Sequence, residues 1–334
     1  MTDPTDAGSF DPAAREQELR DQAESWDTST PVPAGPGDIP VIDLGHDPVT
    51  VATELRAACE TVGFFQLVGH GVDETLVERT FAATRAFHDL DDATKESIAM
   101  DRAEWPVRGV GYLRVGERLL PRRAVGNLNE AFLIKQDTGI GFDDNQWPPE
   151  PELRGFRATV EAYAAAVEAL ALRLVPVYAA ALELDPDFFA DAFADPFWRL
   201  RLSHYPGVDT ARPTGAYGIA PHVDTTFFTL LRQNGPGLTI YSTPRDAWIT
   251  VPVIDGAYVV NTGELLRQWS NDRFLSVRHF ADNRTSTSRY SIPFFFNANA
   301  DHVMHPLPTC VSPDAPARYA PVSYRQSQAA VQGE

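Results

Sequence analysis

Phe197-Trp-Arg-Leu-Arg-Leu-Ser-His-Tyr205 alternates polar and apolar side chains, and a period of two is that of a β-strand. Arg199, Arg201, Ser203 and Tyr205 then share one face, with Leu200, Leu202 and His204 on the other. Six more short runs follow, at residues 225–233, 237–242, 247–252, 257–261, 276–281 and 288–297, with Pro, Gly, Asn and Asp between them. Many short strands punctuated by turn residues predict a sandwich or a barrel. The core is expected to be mainly β.

Upstream the pattern is helical, which makes the expected class α+β. Thr50 can cap a helix whose apolar side runs through Val51, Leu55, Ala58 and Val62. A second helix follows Asp73 and a short third one follows Asp91. Glu152 to Leu184 is Ala-rich, with apolar positions at Val160, Tyr163, Val167, Leu170 and Leu174. Pro176 is expected to kink or break that helix, because proline removes an i→i−4 hydrogen bond. Residues 100–130 hold many Gly and Arg and few periodic apolar positions, and they read as a loop or ribbon. Residues 1–37 are polar and rich in Pro, Asp and Thr. A flexible tail is expected there, with one helix from Ala13 to Trp26. No linker or shift in composition divides residues 39–325, so a single large domain is expected.

Three stretches carry chemistry. His222-Val-Asp224 places an imidazole and a carboxylate two apart, on one face if the backbone is extended. His279 follows in another strand run. Two imidazoles and one carboxylate on one side of a metal leave the opposite positions open, the signature of non-haem iron(II) oxygenases. Arg289-Tyr-Ser291 puts a guanidinium fork and a hydroxyl on one face, which suits a bound dicarboxylate. An isolated His-x-Asp is more often a polar pair near a turn. The three pieces in this order favour the metal.

The wider sequence resembles the isopenicillin N synthase-like branch of the iron(II)- and 2-oxoglutarate-dependent dioxygenases, from about Ile39 to about Tyr324. The matching stretches are Ile39-Pro-Val-Ile-Asp-Leu44, Gly63-Phe-Phe-Gln-Leu-Val-Gly-His-Gly-Val72, Asn145-Gln-Trp-Pro148, Tyr205-Pro206, Val260-Asn-Thr-Gly263 and Arg289-Tyr-Ser-Ile-Pro-Phe-Phe-Phe296. The resemblance implies one dioxygenase domain over residues 38–328. It would be helical and mixed to about 196, with a double-stranded β-helix (a jelly roll, cupin-like) over about 197–300, braced by the helices. It implies Fe(II) on His222, Asp224 and His279, with 2-oxoglutarate as co-substrate and O2 as oxidant. Arg289 and Ser291 would hold the far carboxylate of 2-oxoglutarate, helped by Tyr205. Many members carry Asn where this chain has Ser203, which leaves Ser203 the weaker contact.

Strand alternation assigns the substrate side. If His222 and Asp224 face a metal, Thr226 and Phe228 face the same way. If Arg289 and Ser291 face inward, so does Phe295, with Phe294 and Phe296 outward. Pocket candidates are Ile219, Phe228 and Phe295, with Arg108, Tyr112, Arg118, Arg122 or Arg123 from the loop after residue 100, Arg108 and Tyr112 first among them. Aromatic walls and an arginine suit a partly apolar small molecule with an acid group. The expected reaction is hydroxylation, desaturation or ring formation in bacterial specialised metabolism, such as antibiotic biosynthesis. Two alternatives are a 2-oxoglutarate-independent iron oxidase of the isopenicillin N synthase kind and a non-catalytic metal-binding jelly roll.

Composition excludes other classes. A net charge of −18 repels nucleic acid and anionic membrane alike. A hydrophobic share of 43% is ample for a core. No apolar run reads as a membrane span and nothing at the start reads as a signal peptide. Cys59 and Cys310 are too few for a disulfide framework, so a cytoplasmic setting is expected, as a monomer or weak homo-oligomer. Lys occurs only at Lys95 and Lys135 among 28 basic residues, the bias of a GC-rich bacterial gene. Gly109-Val-Gly111 begins like a dinucleotide loop but meets Arg114 where the third Gly is required. His70, His302 and His305 read as structural or surface residues, and His46, His88 and His204 show no partner pattern. Asn261 reads as a fold-stabilising amide and Trp248 as a core side chain.

Overall fold

The computed structural model describes residues 30–100, 109–117, 126–136, 145–208 and 215–326. The helix expected over Ala13–Trp26 and the arginines Arg108, Arg118, Arg122 and Arg123 lie outside the described residues. The first half supplies β1 (Val32–Pro33), β2 (Val41–Asp43), α1 (Pro48–Thr61), β3 (Phe64–Val68), α2 (Glu74–His88), α3 (Asp92–Glu96), β4 (Gly111–Leu113), β5 (Glu130–Lys135) and α4 (Phe156–Ala181). Strands then dominate: β6 (Phe197–Tyr205), β7 (Ile219–His222), β8 (Phe228–Gln233), β9 (Leu238–Ser242), β10 (Ala247–Thr250), β11 (Tyr258–Thr262), β12 (His279–Ala281) and β13 (Arg289–Asn297). One short helix, α5 (Glu264–Trp269), interrupts them after β11.

The strands form two sheets. The larger has the order β2-β3-β11-β8-β13-β6-β5-β4, and the smaller β1-β10-β9-β12-β7. Between them lies a small core of Phe64, Leu238, Ile240, Ile249, Val251 and Val259. A larger core fills the other side of the eight-stranded sheet. There Leu200, Leu202, Phe228, Leu230, Phe294 and Phe296 meet Leu170, Leu174 and Tyr178 of α4. β6 has the bounds that alternation predicts, β13 begins one residue later than expected, and the expected β core braced by helices is present.

Some local expectations need correction. Asp47, not Thr50, caps α1, accepting from the amides of Val49 and Thr50, with Pro48 in the first turn. Asp73 and Asp91 cap α2 and α3 as expected. Helix α4 continues through Pro176 without a break. The carbonyl that loses its partner is that of Leu172, whose residue is 39% exposed, so water can satisfy it. The same helix is long and apolar enough to cross a membrane, with a mean hydropathy of 1.5, contrary to the sequence-based expectation. Its buried side, from Phe156 through Tyr178, is part of the core. Residues before 38 also take part in the fold, because Val32 and Pro33 pair with Ile249 and Thr250.

Register matters most for the site. In the larger sheet Phe64, Asn261, Thr229, Phe295, Arg199 and Lys135 stand opposite one another on six adjacent strands. Their sequence neighbours Phe65, Val260, Leu230, Phe294, Leu200 and Ile134 belong to the helix-side core. The rank therefore faces the space between the sheets.

Candidate metal centre and co-substrate anchor

His222 ends β7 and stands directly opposite His279 on β12. Their rings lie 4.4 Å apart. Asp224 is not on a strand: the chain leaves β7 at His222 and turns. The Asp224 carbonyl accepts from the Glu264 amide at 2.7 Å, which ties the turn to the start of α5. The carboxylate then meets both imidazoles, with Oδ1 at 3.5 Å from His222 Nε2 and 3.7 Å from His279 Nε2. One ligand atom from each residue lies within 4.8 Å of the others.

The surroundings select which atoms are free. His222 Nδ1 donates to the Ala220 carbonyl at 2.8 Å, and His279 Nδ1 to that of Val277 at 3.1 Å. A carbonyl can only accept, so each Nε2 carries the lone pair. Asp224 Oδ2 accepts from Thr229 Oγ1 at 2.7 Å and Asn261 Nδ2 at 2.9 Å, leaving Oδ1 for the shared point. Outer partners that fix tautomer and orientation in this way are typical of metal sites. Burial, and then the nearby His222, push His279 down to about 4, so its imidazole is neutral near pH 7. Burial works against the Asp224 charge, but His279, His222 and Asn261 outweigh it and hold the carboxyl below its usual range. The donor set fits a divalent metal with open positions.

A second group of polar atoms lies further along β6 and β13. Tyr205 stands opposite Arg289, and Ser203 opposite Ser291. The Arg289 guanidinium lies 4.5 Å from the centre of the Tyr205 ring. Its Nη2 donates to Gln233 Oε1 at 3.0 Å and its Nε to the Gly235 carbonyl at 3.3 Å. Its Nη1 is buried and has no partner, as is Ser203 Oγ. Buried donors without acceptors cost free energy unless a ligand completes them. Gly237 makes room for the fork: at φ +139°, a Cβ there would fall 2.9 Å from Arg289 Nε.

Two family models match the chain: non-haem dioxygenase in morphine synthesis, N-terminal, over residues 39–150, and 2OG-Fe(II) oxygenase superfamily over residues 198–298. A full-length Neurospora crassa protein, solved with alpha-KG (2-oxoglutarate) and thymine, shares the fold. Its TM-score is 0.80 at 23% identity, covering 90% of this chain and 99% of that one. Validamycin A dioxygenase of Streptomyces hygroscopicus subsp. limoneus is 32% identical over 81% of this chain and 80% of its own length. The 2-oxoglutarate-Fe(II) type oxidoreductase hxnY of Emericella nidulans is 32% identical over 283 residues, 81% of this chain and 80% of that protein. The chain belongs to the iron(II)- and 2-oxoglutarate-dependent dioxygenase family. This dioxygenase is thus an oxidoreductase that uses Fe(II), 2-oxoglutarate and O2, and its two sheets are the family's jelly roll.

Not every sequence-based pocket residue of the dioxygenase lies where alternation puts it. Ile219 stands opposite Ala281, two residues beyond His279 on β12, across a bulge. Phe295 points inward, between the core residues Phe294 and Phe296. Phe228 does not line the pocket. It pairs with Phe296 and stacks on Tyr178 of α4, ring centres 5.0 Å apart. The turn between His222 and β8 resets the alternation, and Thr229 faces the metal side instead. Phe228→Ala should therefore cost about 3–5 kcal/mol in urea unfolding, with uncoupled succinate formation per folded molecule unchanged. Lost turnover without lost stability would return Phe228 to the pocket. Tyr112 is also turned away. It sits opposite Phe132 on the helix side, where its hydroxyl donates to Glu130 Oε2 at 2.6 Å.

Two features escaped the sequence. Thr229 and Asn261 hold the Asp224 carboxylate, and only the register of three strands shows it. His88, Glu130 and His204 form a second close group on the helix side. Glu130 Oε1 accepts from His204 Nδ1 at 2.7 Å, and Lys95 Nζ lies 3.4 Å from Oε2. That ammonium already supplies the positive charge beside Glu130, while His88 Nε2 and His204 Nε2 bond the Leu202 carbonyl and Ser288 Oγ. Burial opposes the Glu130 charge, yet the hydrogen bonds from His204 and His88 hold it far below the usual range. The group ties α2 and α3 to the sheet. His70 is structural as expected, bonding the Gly256 carbonyl and the Val72 amide.

Proposed function

We propose that the dioxygenase holds Fe(II) between His222 Nε2, His279 Nε2 and Asp224 Oδ1. On this reading it takes 2-oxoglutarate against Arg289, Ser291, Tyr205 and Ser203. The reaction is hydroxylation, desaturation or ring formation on a small molecule, in bacterial specialised metabolism and in the cytoplasm. The observation that carries the proposal is the pattern of satisfied and free atoms. Both Nδ1 atoms and Asp224 Oδ2 are occupied, which leaves three converging donors, and Arg289 Nη1 is buried without a partner. The near relative from Streptomyces and the bias of Arg over Lys support the bacterial setting. Two free cysteines support the compartment.

When bound, Fe(II) would activate O2, which supplies the oxidising power, and 2-oxoglutarate would supply two electrons, leaving as succinate and CO2. The chain's own residues bind and orient. His222 and His279 remain neutral donors, Thr229 and Asn261 keep one carboxylate oxygen aimed at the metal, and Arg289 fixes the far end of 2-oxoglutarate. Phe295 and Ile219 offer apolar surface that excludes water and positions a C–H bond. Succinate should form slowly under O2 with Fe(II), 2-oxoglutarate and ascorbate even without substrate, and an anaerobic mixture should show a visible charge-transfer band. Absence of both would overturn the assignment of the 2-oxoglutarate site.

A further inference from the structure

The inward rank holds two charged residues that the metal and co-substrate sites do not use, Arg199 and, opposite it on β5, Lys135, which has partners of its own. Arg199 stands opposite Phe295, which stands opposite Thr229, whose hydroxyl bonds Asp224. Two strand spacings, roughly 9.5 Å, therefore separate its backbone from that of Thr229. The 2-oxoglutarate anchor is elsewhere: Arg289 opens β13, and Phe295 lies six residues further along it. At about 3.4 Å per residue that is some 20 Å of strand. Arg199 therefore lies nearer to Thr229 and the metal ligands than to the 2-oxoglutarate anchor.

Its guanidinium is held but not paired. It lies 5.5 Å from the centre of the Phe197 ring, and a Cβ on Gly109 would be 3.5 Å from its Cζ, so loop backbone closes its other side. Its Nε is buried without a partner, and among the described residues no hydrogen bond or ion pair engages the group. Arg201, next on the same face, differs. Asn129, in the amide orientation that satisfies both its ends, accepts from Arg201 Nη2 at 2.7 Å and donates to the Gly218 carbonyl at 3.0 Å. A guanidinium set beside apolar surface with its donors unfilled favours an anion, and its fork matches a carboxylate.

We propose that Arg199 binds a carboxylate of the substrate, with Phe295 between that group and the metal carrying the apolar part. The substrate class is then a small monoanionic acid whose oxidised carbon lies a few bonds from its carboxylate. This rests on the proposed function for the reaction, though not for the binding.

The test uses straight-chain and phenyl-substituted monocarboxylates, each beside its own primary amide, on metal-loaded protein with saturating 2-oxoglutarate. Binding is read by calorimetry and turnover by succinate release above the uncoupled rate. At least one acid should bind and stimulate succinate, and its amide should bind about ten- to a hundredfold more weakly, the range for losing a charged hydrogen bond. Arg199→Gln should weaken the acid by the same factor and leave the amide's affinity as it was. Arg199→Lys should recover part of the preference. Equal binding of acid and amide, binding of neither series, or an acid preference that survives Arg199→Gln overturns the assignment. An intact preference without any succinate would instead overturn the 2-oxoglutarate reading and leave Arg199 in place.

Discussion

Asp224→Ala should lower Fe(II) affinity by well over the 10–100-fold that loss of an outer partner typically costs, and turnover should vanish with it. The effect is the largest expected of any single change, because Asp224 is the one anion in the donor set and meets both imidazoles. The variant also leaves Thr229 Oγ1 and Asn261 Nδ2 without the acceptor they share. Each orphaned buried group costs about 1–3 kcal/mol, so the metal-free variant should unfold at lower urea concentration. Asp224→Asn separates the two effects. It keeps an oxygen for those donors and should recover much of the stability, but a neutral amide remains a poor ligand and affinity should stay low. Asn261→Ala, by contrast, should fall within the 10–100-fold range. Metal titration and urea unfolding on the three proteins give both quantities. Tight Fe(II) binding by Asp224→Ala would exclude the carboxylate from the site.

Alternation was readable wherever one face of a strand meets the helices and the other the barrel. β6 and β13 are such strands, which is why Arg199, Ser203, Tyr205, Arg289, Ser291 and Phe295 all point as their spacing predicts. The same rule failed for Phe228, since a period of two cannot be carried across the turn between His222 and β8. β5 was invisible for another reason: all six of its residues are buried, so no polar face marks it as a strand. β4 is three residues long and equally buried. Pairings across large sequence separations were out of reach, as with Glu130 and His204, which lie 74 residues apart. The iron site was legible because its three ligands fall in two short motifs, whereas the residues that orient them come from the neighbouring strands β8 and β11.

Arg289→Leu keeps much of the bulk of the side chain and deletes the fork. The wild-type guanidinium spends Nη2 on Gln233 and Nε on the Gly235 carbonyl, so Nη1 is the donor left for a ligand. A buried carboxylate deprived of its charged partner typically loses about 3–5 kcal/mol, and each 1.4 kcal/mol or so is tenfold. Affinity for 2-oxoglutarate should therefore fall on the order of a hundredfold or more. Fe(II) affinity should barely move, because Arg289 lies on β13 and the ligands on β7, β12 and the turn after β7. Pyruvate and 2-oxobutyrate have no distal charge, so the variant should lose much less with them than with 2-oxoglutarate. That contrast distinguishes loss of an anchor from damage to the fold, since damage lowers all three acids together. Some stability will also go, because Gln233 Oε1 loses a donor and Tyr205 loses the cation over its ring. The comparison is therefore made at a temperature where both proteins are fully folded. Equal losses for all three acids with an unchanged melting temperature would show that Arg289 does not hold the distal carboxylate.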